Sequence, residues 1–260
     1  MIRIFSGSPQ MVNVPDYLNR ISYSGPTAPN DKVLRALHRA HMLAVPFENL
    51  DIALGRNIVC DEASFIHKIV QQGRGGFCYE LNGAFAALLR ELGFKVILLS
   101  ARVSRRDGSD GPDFDHLALR VDLDHPWLAD VGFGDSFLEP LRLQPDAEQQ
   151  QGSQKFRITS VAGSLRMEKQ QGDGTWQRQY SFTLKPRTLY DFAAMCHYHQ
   201  TSPQSPFTQK TICSRATPQG RITLADRKLI ITRDAMRDER LLASDEEWRA
   251  ALKDYFDVVL

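Results

Sequence analysis

Ten residues, Gly73 to Asn82 (GRGGFCYELN), combine a glycine cluster with one cysteine at the start of an apolar helical pattern. Apolar residues recur at helical spacing after Cys78, and Gly93 then supplies a stop signal. The pattern therefore predicts that Cys78 lies in the first turn of a helix, where free N–H groups and the helix dipole favour a thiolate. This arrangement indicates a cysteine nucleophile. The competing interpretation is a small buried hydrophobe, which is the commoner role of a free cysteine.

A cysteine nucleophile needs a base that holds its proton and a third group that orients the base. His116 begins one predicted strand and Asp130 lies in the next, with a turn at residues 124–126 (Asp-His-Pro) that folds the two strands antiparallel. The hairpin brings His116 within one or two pairing positions of Asp130, so the carboxylate can reach the imidazole. The sequence does not fix the register. A surface histidine and a turn carboxylate are the alternative to this pair.

Length and composition exclude several classes of protein. The chain has 260 residues, 42% hydrophobic and 24% charged, which is typical of one large globular domain or two to three small ones. A net charge of +1 gives no reason to expect nucleic acid or an anionic membrane as partner. The sequence shows no signal-peptide core and no apolar run of membrane-spanning length. Four cysteines without paired spacing favour free thiols, and we predict a cytoplasmic protein.

Hydrophobic periodicity predicts which helices and strands carry these residues. The predicted type of element changes along the chain. Helices are predicted at 30–43, at 61–72 and after Cys78, which makes the first third a helical bundle. Short β-rich segments follow, bounded by turn residues, at 94–103, 116–123, 127–133, 156–161, 165–168 and 176–182. A polar loop is predicted at 149–154, and the middle third is interpreted as an antiparallel barrel or sandwich. In the last third, 221–232 looks extended, and Ser244 and Glu247 form a capping box before a helix.

Six segments carry a resemblance to the arylamine N-acetyltransferase family. Three resemble its signature segments: Arg74 to Cys78, His116 with Leu117, and Asp130 to Gly134. Residues 45–50 (VPFENL) resemble the family's PFENL segment, and residues 201–207 with 218–221 extend the match downstream. The resemblance implies an α+β fold of three domains: a helical bundle with the cysteine (1–93), an antiparallel β-barrel with the histidine and aspartate (94–195), and an α/β lid (196–260).

The resemblance also assigns roles to residues, in a triad like that of cysteine proteases. It makes Cys78 the acetyl-accepting nucleophile, His116 its base or imidazolium partner, and Asp130 the orienting carboxylate. It implies an acceptor pocket walled by the side chains of Phe47, Val103 and Phe133. It also implies that the backbone at Gly132 and Gly134 lies close to the cofactor. An ion pair between Arg74 and Glu48 would tie the PFENL segment to the nucleophile turn.

The activity implied is transfer of an acetyl group from acetyl-CoA to a small-molecule arylamine or hydrazine by a ping-pong route, without a metal. Residues 196–200 (CHYHQ) depart from the family pattern, which puts the local lid contacts in doubt. A zinc site built from Cys196, His197, His199 and Cys213 fits no common ligand spacing. The pair His38-x-x-His41 is interpreted as a helix face.

Three other functions share these residues. An amide synthase of the same fold would use a larger acyl chain in place of acetyl. A papain-like or transglutaminase-like hydrolase or transferase would use the same Cys-His-Asp geometry. A non-enzymatic β-domain binding module would carry an inert cysteine. The sequence does not specify the acceptor, the coenzyme A contacts or the oligomeric state.

Overall fold

A computed structural model describes residues 12–234 and 236–260. The helices of this part of the chain are α1 (Val14–Arg20), α2 (Asp31–Ala44), α3 (Leu50–Ala53), α4 (Glu62–Ile66), a π-helix (His67–Gln71), α5 (Cys78–Glu91), a 3-10 helix (Leu189–Phe192), α6 (Ala193–Thr201), α7 (Pro206–Gln209) and α8 (Asp245–Phe256).

The strands are β1 (Phe47–Glu48), β2 (Lys95–Val103), β3 (His116–Asp122), β4 (Pro126–Ala129), β5 (Leu141–Arg142), β6 (Glu148–Gln151), β7 (Gln154–Val161), β8 (Ser164–Gln170), β9 (Trp176–Phe182), β10 (Ile212–Thr217), β11 (Gly220–Ala225), β12 (Lys228–Arg233) and β13 (Met236–Leu241).

Side-chain caps start the helices where the sequence predicts them. The Asn30 side chain accepts a hydrogen bond from the Val33 N–H at 3.0 Å, which confirms the start of α2. Asp61 caps α4 in the same way through the Ser64 N–H. The continuous α-helix predicted for 61–72 is wrong in its second half, where the chain widens into a π-helix. That wider turn carries Lys68, whose ammonium is buried among carboxylates.

Eight antiparallel strands form the larger sheet, in the order β5-β4-β3-β2-β9-β8-β7-β6. The β3–β4 pairing sets Leu119 opposite Ala129, which confirms the predicted hairpin. The strand predicted for 127–133 ends early, at Ala129, because the Asp130 side chain accepts a hydrogen bond from the Gly132 N–H and turns the chain. The loop predicted for 149–154 is also partly wrong. Its first residues form β6, whose register on β7 pairs Gln149 with Phe156.

Five antiparallel strands form the second sheet, in the order β1-β10-β11-β12-β13. The segment predicted as extended at 221–232 is two strands joined by a turn at Asp226 and Arg227. Strand β1 joins this sheet from the helical part of the chain, with Phe47 opposite Ser214. The PFENL segment is therefore shared between the nucleophile region and the C-terminal sheet.

Alternate residues of β3 pack on opposite sides of the sheet, as period-2 side chains must. Leu117 and Leu119 belong to a core shared with the helices, and Ala118 belongs to a second core inside the larger sheet. A third core lies between α8 and the five-stranded sheet, around Leu224 and Phe256.

Helices and antiparallel sheets agree with the α+β prediction, and the domain boundaries predicted at 93 and 195 stay predictions. No helix of residues 12–234 and 236–260 has the length and apolar character for crossing a membrane.

Candidate active site

The glycine cluster before Cys78 lets the backbone turn sharply and pack closely against the PFENL segment. Gly73 has φ +65°, a left-handed conformation that glycine adopts without a steric penalty. A Cβ on Gly75 would overlap the carbonyl oxygen of Pro46. The turn therefore fits closely against the PFENL segment because Gly75 has no side chain.

Cys78 is the first residue of α5 and is only 3% exposed. The Glu80 carboxylate caps the helix by accepting a hydrogen bond from the Phe77 N–H at 3.0 Å. Burial raises the pKa of the Cys78 thiol, and the hydrogen bond and charge of His116 act in the opposite direction. His116 therefore favours the thiolate against the effect of burial.

His116 and Asp130 form a buried imidazole–carboxylate pair at the mouth of the β3–β4 hairpin. His116 Nε2 lies 2.8 Å from Asp130 Oδ2, and the two residues are 2% and 0% exposed. Burial opposes the charged ring, but the Asp130 carboxylate outweighs it and raises the pKa of His116 to about 10. The same contact lowers the pKa of Asp130. Since Nε2 faces the carboxylate, Nδ1 is the nitrogen left for the thiol.

Asn82 holds the carboxylate in place, a role that was not predicted from the sequence. Its amide nitrogen donates to Asp130 Oδ1 at 2.9 Å and to the Leu117 carbonyl at 2.6 Å, and its carbonyl accepts from the Val131 N–H at 2.9 Å. Asn82 follows Cys78 by one helical turn and so lies on the same face of α5. The helical spacing between Cys78 and Asn82 is the feature of the sequence that could have indicated this role.

His38 supports the Asp130 backbone from the opposite side. Its Nε2 accepts a hydrogen bond from the Asp130 N–H at 3.1 Å, and its Nδ1–H donates to the Leu138 carbonyl at 2.8 Å. Burial lowers the pKa of His38 to about 4, so the ring stays neutral. His41 lies next to it, also fully buried, with its Nδ1 3.2 Å from the Tyr17 hydroxyl. The predicted His38-x-x-His41 helix face is therefore an inward face of α2.

Gly132 packs directly against the nucleophile. A Cβ at this position would lie 2.8 Å from the Cys78 Cα and 2.7 Å from the Asn82 amide nitrogen. Gly134 is different, because it has φ +78° and nothing within 4 Å of an added Cβ. Of the two glycines expected near the cofactor, Gly132 thus has a packing role of its own and Gly134 borders open space.

The Gly132→Ala variant is expected to lose about 1–3 kcal/mol of stability, because the added methyl group overpacks the contact between Cys78 and Asn82. The displaced turn should also slow alkylation of Cys78 by iodoacetamide. Urea unfolding and peptide mapping measure the two effects. Gly172→Ala is the matched control, since nothing lies within 4 Å of a Cβ there. Equal stability and labelling in both variants would contradict the packing role.

A buried charge cluster lies beneath the nucleophile turn, and it contains the ion pair that the resemblance implies. Arg74 Nη2 lies 2.8 Å from Glu48 and 3.1 Å from Asp51. Lys68 Nζ lies 2.8 Å from both Asp51 and Glu80. Burial raises the pKa of Glu80 to about 7, although Lys68 opposes that shift. Arg74 and Glu48 are 3% and 0% exposed, so this ion pair is buried and is not a pair of surface charges.

Cys78 opens onto a cavity of about 1050 Å³. Every residue predicted as a pocket wall or a cofactor-side glycine lines it: Phe47, Val103, Gly132, Phe133 and Gly134. His116 lines it as well, whereas Asp130 lies behind the ring and fully buried. Phe207 also lines the cavity, a position that was not predicted although the residue lies in a segment that resembles the family.

The residues of the rejected zinc hypothesis lie apart from a common centre. Cys213 lies in β10 opposite Glu48, and His199 is hydrogen-bonded to Asp115 and Ser205. Within the described residues, no group of three or more His, Cys, Asp or Glu side chains has an arrangement that could hold a metal ion.

Comparison with known proteins gives one consistent family. The N-acetyltransferase family model matches residues 32–260. Among curated relatives, the arylamine N-acetyltransferase pineal gland isozyme NAT-3 of Gallus gallus is 34% identical, over 96% of this chain and 95% of that protein. The proansamycin X synthase of Amycolatopsis mediterranei is 31% identical, over 92% and 94%. The structure of Mycobacterium marinum arylamine N-acetyltransferase in complex with CoA superposes with a TM-score of 0.89 at 31% identity, covering 95% and 93%.

Proposed function

Because the chain belongs to the arylamine N-acetyltransferase family and is an acyltransferase, we propose that it moves an acetyl group from acetyl-CoA to the nitrogen of an arylamine or hydrazine through an acetyl-Cys78 intermediate. One observation carries this proposal. The Cys78 thiol lies on the wall of a large cavity together with His116, whose far nitrogen is bound to buried Asp130 at 2.8 Å.

The first half-reaction forms the thioester. Cys78 Sγ attacks the acetyl carbonyl carbon, and the bond from that carbon to the coenzyme A sulfur breaks. His116 takes the thiol proton and returns it to the departing coenzyme A thiolate. The Asp130 carboxylate stabilises the imidazolium between these steps and keeps Nδ1 directed at the sulfur.

The second half-reaction transfers the acetyl group to nitrogen. The amine attacks the carbonyl carbon of acetyl-Cys78, and the carbon–sulfur bond breaks to release the Cys78 thiolate. The ammonium proton passes to His116, which restores the imidazolium–thiolate pair. A thiolate beside an imidazolium is a better leaving group than an amide nitrogen, so collapse proceeds toward the acetylated amine.

The cavity lining suits both substrates of this reaction. Phe47, Phe133 and Phe207 offer aromatic surfaces to a flat arylamine ring. Arg221 and Arg237 are positively charged groups toward which the phosphates of coenzyme A can point, and the open space at Gly134 lets the cofactor approach the backbone. No step requires a metal. Free thiols favour the cytoplasm, which stays a prediction.

An amide synthase with a larger acyl donor is the second candidate, because a synthase is among the 31% identical relatives. Acetyl transfer is favoured over it, since the family model and the superposed structure are both of acetyltransferases. The two candidates share the acyl-Cys78 chemistry and differ in the donor. A thiol hydrolase would instead release free acid with no amine present.

Exposure to acetyl-CoA without an amine is expected to add one acetyl group to the protein, because the nucleophile has no acceptor to discharge it. Intact-mass measurement should show this adduct in the wild type and its loss on adding an arylamine or a hydrazine. The adduct should be absent in Cys78→Ala and present in Cys60→Ala, a control that removes the half-buried thiol.

Three results would redirect the proposal. Slow or negligible acetylation of a folded protein supports the synthase. Steady release of acetate without an amine supports the hydrolase. Intersecting initial-rate lines with no detectable adduct replace the covalent route by direct transfer in a ternary complex.

A further inference from the structure

A second imidazole–carboxylate pair lies in the same cavity as Cys78 and His116. His199 Nε2 lies 3.1 Å from Asp115 Oδ1, and both residues line the cavity. Asp115 directly precedes His116 in the chain. His199 belongs to α6, within the segment 196–200 that departs from the family pattern, and its side chain is 4% exposed. The proposed function uses neither residue.

The contacts of His199 offer an acceptor to each ring nitrogen. Its Nδ1 lies 3.1 Å from Ser205 Oγ, while the Ser205 hydroxyl lies 3.1 Å from the His199 carbonyl and can donate to it. With that donation made, Nδ1–H must donate to Ser205 and Nε2–H to Asp115, which requires both ring protons. A neutral ring forfeits one of these contacts. A ring that carries both protons therefore satisfies all of these contacts, with Nε2–H directed at the Asp115 carboxylate.

The position of Asp115 makes its charge relevant to the nucleophile. Burial is the main cause of the raised pKa of the Cys78 thiol, and the Asp115 carboxylate adds to it. His116 acts in the opposite direction. Two further groups near Cys78 are uncharged: Tyr79, whose hydroxyl donates to the Phe114 carbonyl at 2.7 Å, and Cys196, whose thiol pKa is raised by its contact with Cys60 and by burial. Asp115 is thus a carboxylate in the cavity lining that opposes thiolate formation.

We propose that His199 is a positioning residue that neutralises Asp115 and thereby keeps Cys78 reactive as a thiolate. This inference rests on the proposed function, because it concerns the ionisation of the same nucleophile. His199 does not touch the reacting atoms. His199 acts through the Asp115 carboxylate. An unpaired negative charge on Asp115 would be stabilised by the His116 imidazolium at the expense of the Cys78 thiolate.

The test is the pH dependence of Cys78 reactivity in the full chain. Iodoacetamide labelling, with peptide mapping to separate Cys78 from Cys60, reports the thiolate fraction at each pH. Acetylation by acetyl-CoA in a single turnover reports the same group during the reaction. The variants are His199→Gln, which retains donor and acceptor atoms without a charge, Asp115→Asn, and the double variant. His197→Gln is the matched control, because His197 is an exposed histidine on the same helix.

His199→Gln is expected to move the midpoint of the rate–pH profile upward by roughly 0.5–1.5 pH units, as an unscreened unit charge at several ångströms would. Below the midpoint this shift means a rate lower by roughly 3–30-fold. Asp115→Asn should leave the midpoint in place or lower it. In the double variant, loss of His199 should have little further effect, because no carboxylate remains to be neutralised. His197→Gln should match the wild type.

A purely structural role gives a different pattern, in which each single variant lowers the rate without moving the midpoint and the double variant is worst. That pattern, or an upward shift in Asp115→Asn, overturns the inference. If His199→Gln does not fold, His199→Asn supplies the same comparison. A wild type that accepts no acetyl group overturns the proposed function, whereas acetylation with unmoved midpoints overturns only the role of His199.

Discussion

The Asp130→Asn variant is expected to fold and to lose turnover by about 10⁴-fold. The carboxylate supplies the charge that raises the pKa of His116 to about 10 and fixes Nδ1 toward the thiol. An amide of the same shape can still bond to Asn82 and Gly132, but it can present its NH₂ group to the ring and so reverse the tautomer. Steady-state turnover with acetyl-CoA and an arylamine measures the loss.

Thermal unfolding must accompany that measurement, because Asp130 is fully buried and its replacement perturbs a hydrogen-bonded centre. Asp124→Asn is the matched control, since Asp124 is an exposed carboxylate in the same hairpin loop. Turnover close to that of the control in a folded Asp130→Asn protein would make the carboxylate structural only. His116 would then lose its assignment as the ionised partner of Cys78.

Local signals in the sequence identified most of the elements that carry this site. The glycine turn and the helix start at Cys78 are encoded within a few residues, and so is the β3–β4 hairpin. The family resemblance supplied the predicted pocket residues, and all of them line the same cavity as Cys78. The end of β4 was not predicted, because it depends on where the Asp130 side chain finds its partners.

Residues that act across the fold could not be identified in this way. His38 contacts Asp130 from α2, and His199 contacts Asp115 from α6, so each contact depends on how distant elements pack. The burial of charged side chains likewise depends on how distant elements pack. The sequence shows Lys68, Arg74 and Glu48 as ordinary charges, and only the packing of β1 and the π-helix against the nucleophile turn removes them from water.

Because Arg74 is buried, the Arg74→Met variant should lose about 3–5 kcal/mol of unfolding free energy. The replacement keeps an unbranched side chain of similar reach, but it leaves Glu48 and Asp51 without the guanidinium that bonds to both. Lys68 lies 3.7 Å from Glu48 and compensates only in part. The midpoint of urea unfolding, with the slope checked for constancy, measures the loss.

Arg56→Met is the matched control for this change. Arg56 also faces Asp51, at 3.6 Å, but its side chain is 53% exposed, so its removal should cost only about 0–1 kcal/mol. A double variant, Glu48→Gln with Arg74→Met, should recover part of the loss, because the uncompensated carboxylate is then removed. Equal effects of Arg74→Met and Arg56→Met would show that the cluster contributes no more than surface ion pairs. The nucleophile turn would then be held mainly by its glycine packing and helix cap.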